Sequence, residues 1–330
     1  MQNSKIIFWG TDNFSIPILD SLIKSGYQIL AIITTPDKPT GRKQTFTPPL
    51  LKSWIIKHES WDIEILQPEK LTNDLRFKFQ DLRPDLCIVA SYGKIIPKEI
   101  LEIPKFGFIN VHPSLLPKYR GPTPIQTSIL NGETQTGVTI MLVDELMDHG
   151  PTIVKHKTWI MEHDTYELLH DKLAKIGAEL LIKTIPKWVK NEIKPVEQDH
   201  TQATFTKKFS REDGHLDFLK PAEYLDRQIR ALNPEPGTWI TTKSKVKNQK
   251  AKDSDKKEII IKIIQAESDN EESGLLVGTV FKNSKGQIAV QCKIGSLVLL
   301  SLQKGGGKIS SIQEFVNGHK YFIGSRLNTT

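Results

Sequence analysis

Asn110, His112 and Asp148 are the residues of this chain whose types and order suit a defined chemistry. Transfer of an acyl group to an amine needs a hydrogen-bond donor for the carbonyl oxygen as negative charge develops there. It also needs an acceptor for the proton that the attacking nitrogen sheds. An asparagine amide and a histidine can supply the donor, and a carboxylate beside the histidine can orient it, favour its charged form and relay a proton through water. The amine is its own nucleophile, so neither a cysteine nor an activated serine is required. Taken singly, each residue has a plainer role: Asn110 as a strand-end cap, His112 as a satisfied polar residue, Asp148 as a turn residue before Gly150. The three together, beside the Pro- and Gly-broken segment NVHPSLLPKYRG at 110–121, point to a site.

Those residues need elements to bring them together. Short apolar runs rich in β-branched residues lie at KIIFWG, YQILAIITT, IEILQP, LCIVASYG, GFINVH and GVTIMLVD, with helix-like stretches SIPILDSLIKSG, PLLKSWIIKH and PIQTSILNG among them. Strands that are apolar throughout and alternate with helices predict a doubly wound α/β domain whose mainly parallel sheet is covered on both faces. In such sheets ligands bind outside the carboxyl ends of the strands, where the topology switches. Asn110 and His112 fall at the end of GFINVH and Asp148 follows GVTIMLVD, so strand ends are expected to deliver all three to one edge. WGTDNFS, 9–15, follows the first strand but lacks the glycines of a dinucleotide loop, and no G-x-x-x-x-G-K-[ST] occurs. NAD and ATP are therefore poorly supported, and the segment reads as a strand-to-helix turn.

This first domain is expected over 1–190. It closes on a helical pattern at 165–190, with Leu168, Leu169, Leu173, Ile176 and Leu180 at three- to four-residue spacing. The polar stretch 191–207 reads as a linker. From 208 to 330 one helix, AEYLDRQIRAL, precedes strand candidates EIIIKIIQAE, LLVGTVFKN, GQIAVQCK and GSLVLLSLQ, so a smaller β-barrel is expected. The stretch 243–257 carries seven lysines against two aspartates and reads as an exposed loop.

Composition bounds the rest. At 330 residues, 38% hydrophobic and 25% charged, the chain has ordinary globular usage and room for two domains. No stretch nears the ~18 apolar residues of a membrane span, and the first apolar run is too short for a signal peptide. Cys87 and Cys292 have no metal-ligand spacing. The expectations are a cytoplasmic location, no membrane partner and no metal. A net charge of +7 favours an acidic partner such as nucleic acid, or reflects surplus lysine alone.

The stretch GFINVHPSLLPKYRGPTPIQTSILNGETQTGVTIMLVDELMDHG resembles the signature region of the folate-dependent formyltransferases. IIFWGTDNFSIPILDSLI, TTPDKPTGR, VASYGKIIPKEIL and, in the second domain, IRALNPEPGTWI resemble members of that family in the same order, over most of the chain. The resemblance implies a Rossmann-like catalytic domain followed by an OB-like β-barrel that binds tRNA. It implies 10-formyltetrahydrofolate as donor and, as acceptor, the α-amino group of an initiator methionyl-tRNA, and it fits a monomer. Asn110, His112 and Asp148 match the family's catalytic residues. Ser114, Leu115, Leu116 and Pro117 match its folate-binding loop, and Ser91, Tyr92 and Gly93 would lie against the pterin.

Prolines and Gly121 fix the shape of that loop, since Pro locks φ and Gly permits turns that other residues resist. Arg42 and Lys43 would form an insert that meets the acceptor stem, with Lys245, Lys247 and Lys250 on the phosphate backbone. Two departures stand out: Leu146 where many relatives carry glycine, and KQTFTPP after Arg42, less basic than usual. Formyl transfer to a small amine, a glycinamide nucleotide or an amino sugar, explains the first domain equally well but leaves the basic β domain and the Arg42 insert without a use. A nucleic-acid-binding protein with an inactive formyltransferase domain is a third reading, against which the intact trio argues.

Overall fold

The structure, a computed structural model, describes residues 4–41, 43–58, 63–243 and 258–327. From the N-terminus run β1 (Lys5–Gly10), α1 (Ser15–Lys24), β2 (Gln28–Ile33), β3 (Lys38–Thr40), β4 (Thr45–Thr47), α2 (Leu50–Ile56) and β5 (Glu64–Leu66). There follow α3 (Asn73–Leu82), β6 (Leu86–Ala90), α4 (Lys98–Leu101), β7 (Phe108–His112), α5 (Pro124–Leu130), β8 (Gln135–Leu142), β9 (Thr152–Trp159) and α6 (Tyr166–Val189). Seven strands form one sheet in the order β5-β2-β1-β6-β7-β8-β9. It is parallel from β5 to β7 and antiparallel from β7 to β9.

The parallel part forms because its strands have no polar face: Ile6, Ile7, Phe8 and Trp9 of β1 are fully buried, as are Leu86, Cys87 and Ile88 of β6. Trp9 anchors one side of the sheet, with its ring 4.9 Å from Tyr92, 5.5 Å from Phe79 and 5.7 Å from Phe108. Truncating such a side chain to alanine costs about 3–5 kcal/mol. The strand order reverses between β1 and β6, which makes the carboxyl ends of these strands the expected ligand crevice.

Helix α6 covers β7. A Cβ on Gly177 would stand 2.7 Å from Val111 Cγ1, so glycine lets the helix lie against the strand that carries Asn110 and His112. Its buried stripe is Leu169, Leu173, Leu181 and Ile185 with Ala174 and Ala178. Leu168, expected on that stripe, is 59% exposed, and Ile176 and Leu180 are half-buried. One residue advances a helix by about 100°, so Leu168 and Leu169 cannot share a narrow stripe. The hairpin β3–β4 and the edge strand β9 were not expected from the apolar runs.

By compactness the chain divides into Met1–Ile125, Thr134–Ile160 and Glu167–Lys207 on one side, and Gln126–Glu133, Met161–Tyr166 and Lys208–Thr330 on the other. The second unit holds α7 (Ala222–Leu232), β10 (Trp239–Lys243), β11 (Glu258–Asp269), β12 (Val280–Lys282), β13 (Ile288–Gln291), β14 (Ser296–Lys304), β15 (Ile309–Ser311) and α8 (Ile312–Gly318). Its sheet runs β10-β11-β14-β13-β12, with β15 on β14, all antiparallel, and forms a half-barrel. Leu225 and Ile229 of α7 pack into its core with Ile261, Ile263, Leu297, Leu299 and Leu302. Helix α8 starts at a capping box, Ser311 with Glu314.

Candidate active site

Asn110 and His112 are two apart on β7, so their side chains leave the same face of the sheet. The pairing of Asn110 with Val89 sets them level with the end of β6. Asp148 lies beyond β8, in the turn that leads to β9, at φ +48°. That left-handed conformation is uncommon for a residue other than glycine. Because β8 runs antiparallel to β7, with Leu142 opposite Ile109, the loop after β8 rather than a shared strand end brings the carboxylate to Asn110 and His112. Asn110 Nδ2 donates to Oδ1 at 3.3 Å, the Gly121 amide donates to Oδ2 at 2.8 Å, and His112 Nδ1 stands 3.5 Å from Oδ1.

The His112 and Asp148 side chains are 5% and 14% exposed, so solvent screens the pair weakly. His112 Nε2 faces the Tyr119 carbonyl at 3.0 Å. A carbonyl accepts and cannot donate, so Nε2 carries a hydrogen, and the ring lies between two acceptors.

The segment Ser114–Pro117 is pinned to β8 through Thr139, whose hydroxyl donates to the Ser114 carbonyl at 2.7 Å and accepts from the Leu116 amide at 3.2 Å. Lys155 on β9 reaches the Leu116 carbonyl at 2.5 Å, and burial pulls its ammonium below the ordinary lysine range. Ser114 and Leu116 are buried, whereas Leu115 and Pro117 are half-buried. Ser91 and Gly93 are exposed at the end of β6, but the Tyr92 ring packs on Trp9 in the core and offers its backbone there. Ser91 sits at φ +53°, and its hydroxyl donates to Asp12 Oδ2 at 2.5 Å. Asp12 Oδ1 accepts from the Phe14 amide at 3.0 Å. Burial raises the Asp12 carboxyl above its ordinary range, against the pull of the Ser91 and Phe14 hydrogen bonds. Thr11 Oγ1 at this edge is buried with no hydrogen-bond partner among the described residues.

Behind the trio, Arg120, Gln198, His200, His149 and Asp144 bond or stack on one another, which single residues did not announce. Arg120, 3% exposed, donates from Nε and Nη2 to Gln198 Oε1 at 3.2 and 2.8 Å, and from Nη2 to His200 Nδ1 at 2.8 Å. Burial pulls its guanidinium down from the ordinary arginine value, while Asp148 and Asp144 hold it up. The His200 ring stacks on His149 at 4.1 Å, and His149 Nδ1 bonds Asp144 Oδ2 at 2.6 Å. Gly121, at φ +107°, lets residue 206 approach: a Cβ there would stand 2.9 Å from Thr206 Oγ1 and 3.0 Å from its carbonyl oxygen. Leu146 is absent from the positive-φ residues, so this turn makes no demand for glycine at that position.

Lys43 is exposed in the β3–β4 turn; Arg42, Lys245, Lys247 and Lys250 lie outside the described residues. Among the described residues no group of three or more His, Cys, Asp or Glu could hold a metal ion, and no helix is long and apolar enough to cross a membrane. Asp12 and Gln198 escaped the sequence because the partners that give them a role are far along the chain.

Comparison with known proteins agrees with this geometry. The formyl transferase family model matches residues 4–185, and the formyl transferase C-terminal domain model matches residues 208–320. The methionyl-tRNA formyltransferase of Bacillus subtilis (strain 168) is 40% identical over 317 residues, 96% of this chain and 95% of its own length. That of Enterococcus faecalis is 38% identical over 317 residues, 96% of each chain. Among solved structures, an N-formyltransferase from Helicobacter canadensis, in complex with folinic acid and dTDP-3-aminofucose, has a TM-score of 0.62 at 21% identity, over 91% of this chain and 99% of that one. At that identity the likeness concerns the fold. Matched in both units and over nearly its whole length, the chain belongs to the methionyl-tRNA formyltransferases, a branch of the formyltransferase family.

Proposed function

We propose that the chain transfers the formyl group of 10-formyltetrahydrofolate to the α-amino group of an initiator methionyl-tRNA, with Asn110, His112 and Asp148 as its catalytic residues. The observation that carries this reading is the meeting of an amide, an imidazole and a carboxylate within 3.3 and 3.5 Å at the carboxyl edge of the sheet. The amine attacks the formyl carbon, a C–N bond forms, and the carbonyl oxygen takes the electron pair. Asn110 spends one amide hydrogen on Asp148 and has the other for that oxygen. His112 is the second donor, through the Nε2 hydrogen that the Tyr119 carbonyl now accepts. The proton shed by the amine passes through water toward Asp148. Collapse breaks the bond to the folate N10, which takes up a proton as tetrahydrofolate leaves.

In this reading Ser114–Pro117, with Ser91, the Tyr92 backbone and Gly93, receives the folate, and a rigid loop keeps the donor aligned. The insert at Arg42 and Lys43 and the basic second unit receive the tRNA. The protein works as a monomer in the cytoplasm, without a metal. His112→Ala should lower formylation by about 10²–10³ in rate while folate binding is kept. Near-normal turnover of the purified variant would remove His112 from the mechanism.

A further inference from the structure

We infer that Gln198 is a positioning residue that holds Asp148 in its working conformation, and that the segment 198–206 is a strap that builds the catalytic turn. The inference rests on the role proposed above for Asp148. Gln198 is 5% exposed, while its neighbours Glu197, Asp199 and His200 are exposed. Its Nε2 donates to the Asp148 carbonyl at 2.9 Å and to the Gly150 carbonyl at 2.7 Å. Its Oε1 accepts from Arg120 Nε at 3.2 Å and Nη2 at 2.8 Å. A side-chain amide has two donor hydrogens and one oxygen with two lone pairs, so every capacity of this group is used.

The bonds join two pieces of backbone that are separate in sequence. One is the left-handed turn at Asp148; the other is the loop at Tyr119–Gly121, whose Gly121 amide grips the Asp148 carboxylate and whose Tyr119 carbonyl grips His112. The strap is anchored on both sides of Gln198. Upstream, Val196 and Thr152 exchange backbone bonds at 2.8 Å in both directions. Downstream, the Arg120 amide donates to the Thr204 carbonyl and the Thr206 amide to the Arg120 carbonyl, each at 2.8 Å. The Tyr119 amide donates to Thr204 Oγ1, also at 2.8 Å. Loss of the Gln198 donors leaves two carbonyls of a strained turn without their partner, and Asp148 can then relax away from Asn110 and His112.

The test uses the full chain, 10-formyltetrahydrofolate and methionyl-tRNA. Gln198→Glu keeps the length and the acceptor for Arg120 but removes both donors; Gln198→Met removes all four bonds. The expected result is a fall in kcat of about tenfold to a hundredfold, as for a misplacement of roughly 1 Å, with KM for folate and tRNA unchanged. If Gln198→Met does not fold, Gln198→Glu carries the test. Combined with Asp148→Asn, Gln198→Glu should add little further loss, since it acts through Asp148. An unchanged kcat in folded Gln198→Glu, or a loss that simply multiplies with that of Asp148→Asn, overturns the inference. Should Asp148→Asn alone leave kcat unchanged, the role of Asp148 itself fails, a different outcome from the failure of Gln198.

Discussion

Replacing Asp148 by asparagine keeps the size of the side chain and removes its charge. With Oδ1 left on the Gly121 amide, the new NH₂ group faces Asn110 Nδ2, donor against donor. With the amide turned over, the Gly121 N–H loses the acceptor that it now has at 2.8 Å. When the His112 ring is protonated, its charge and that of the carboxylate at 3.5 Å attract by about 5 kcal/mol at an effective dielectric near 20. The asparagine dipole and local relaxation recover part of that. About 3–4 kcal/mol should then be lost from the transition state, a fall of roughly 10²–10³ in rate. The folded state loses only about 1–2 kcal/mol, because one buried donor goes unpaired. Single-turnover formylation of methionyl-tRNA with saturating donor reads the first quantity, and thermal unfolding followed by circular dichroism reads the second. A wild-type single-turnover rate, or a loss explained entirely by the unfolded fraction, would show that the Asp148 charge does not act on the transition state.

Gly121→Ala should destabilise by about 1–3 kcal/mol, since it strains a positive φ. Its Cβ would press on Thr206. Turnover should fall with stability, and a variant that melts and turns over like the wild type would show that the strap can yield. Asp12 sets a pH dependence: burial raises its folded value above the ordinary 3.8, so the cost of ionising it is absent below 3.8 and complete above the folded value. Wild-type stability should therefore rise relative to Asp12→Asn as pH falls through the folded value toward 3.8, and a difference in melting temperature that is flat with pH counts against this. Neutralising Lys245, Lys247 and Lys250 together should flatten the log–log salt slope of tRNA binding by about 2–3 without altering base preference. Arg42→Ala should instead lower the rate with saturating tRNA, and an unchanged slope in the lysine variant would place the phosphate contacts elsewhere.

The parallel sheet was legible because a strand buried on both faces, such as Leu86–Ala90, has no polar alternation to disguise it. Asn110 and His112 were legible because they stand at such a strand's end, just before prolines and a glycine. The strand β9 was not, since an edge strand with Lys155, His156 and Lys157 exposed has no apolar run to announce it. The hairpin strands β3 and β4, three residues each, are too short for a period to show. The helix α8 had a local signal in Ser311 and Glu314, the spacing of a capping box.

The resemblance sets Tyr92 against the pterin; its ring belongs to the Trp9 cluster, and only packing reveals that. Gln198 carries no local signal at all: its partners lie 48, 50 and 78 residues away. A polar segment is indistinguishable from a solvated one until the chain that it satisfies has folded beside it.

Acceptor choice is read by offering the purified protein 10-formyltetrahydrofolate with charged initiator methionyl-tRNA and, separately, with a glycinamide nucleotide and a nucleotide-linked amino sugar, and following formylated product and released tetrahydrofolate. The expected result is formylmethionyl-tRNA in step with tetrahydrofolate release, and no product from either small amine. Formylation of a small amine with the charged tRNA left unmodified would contradict it.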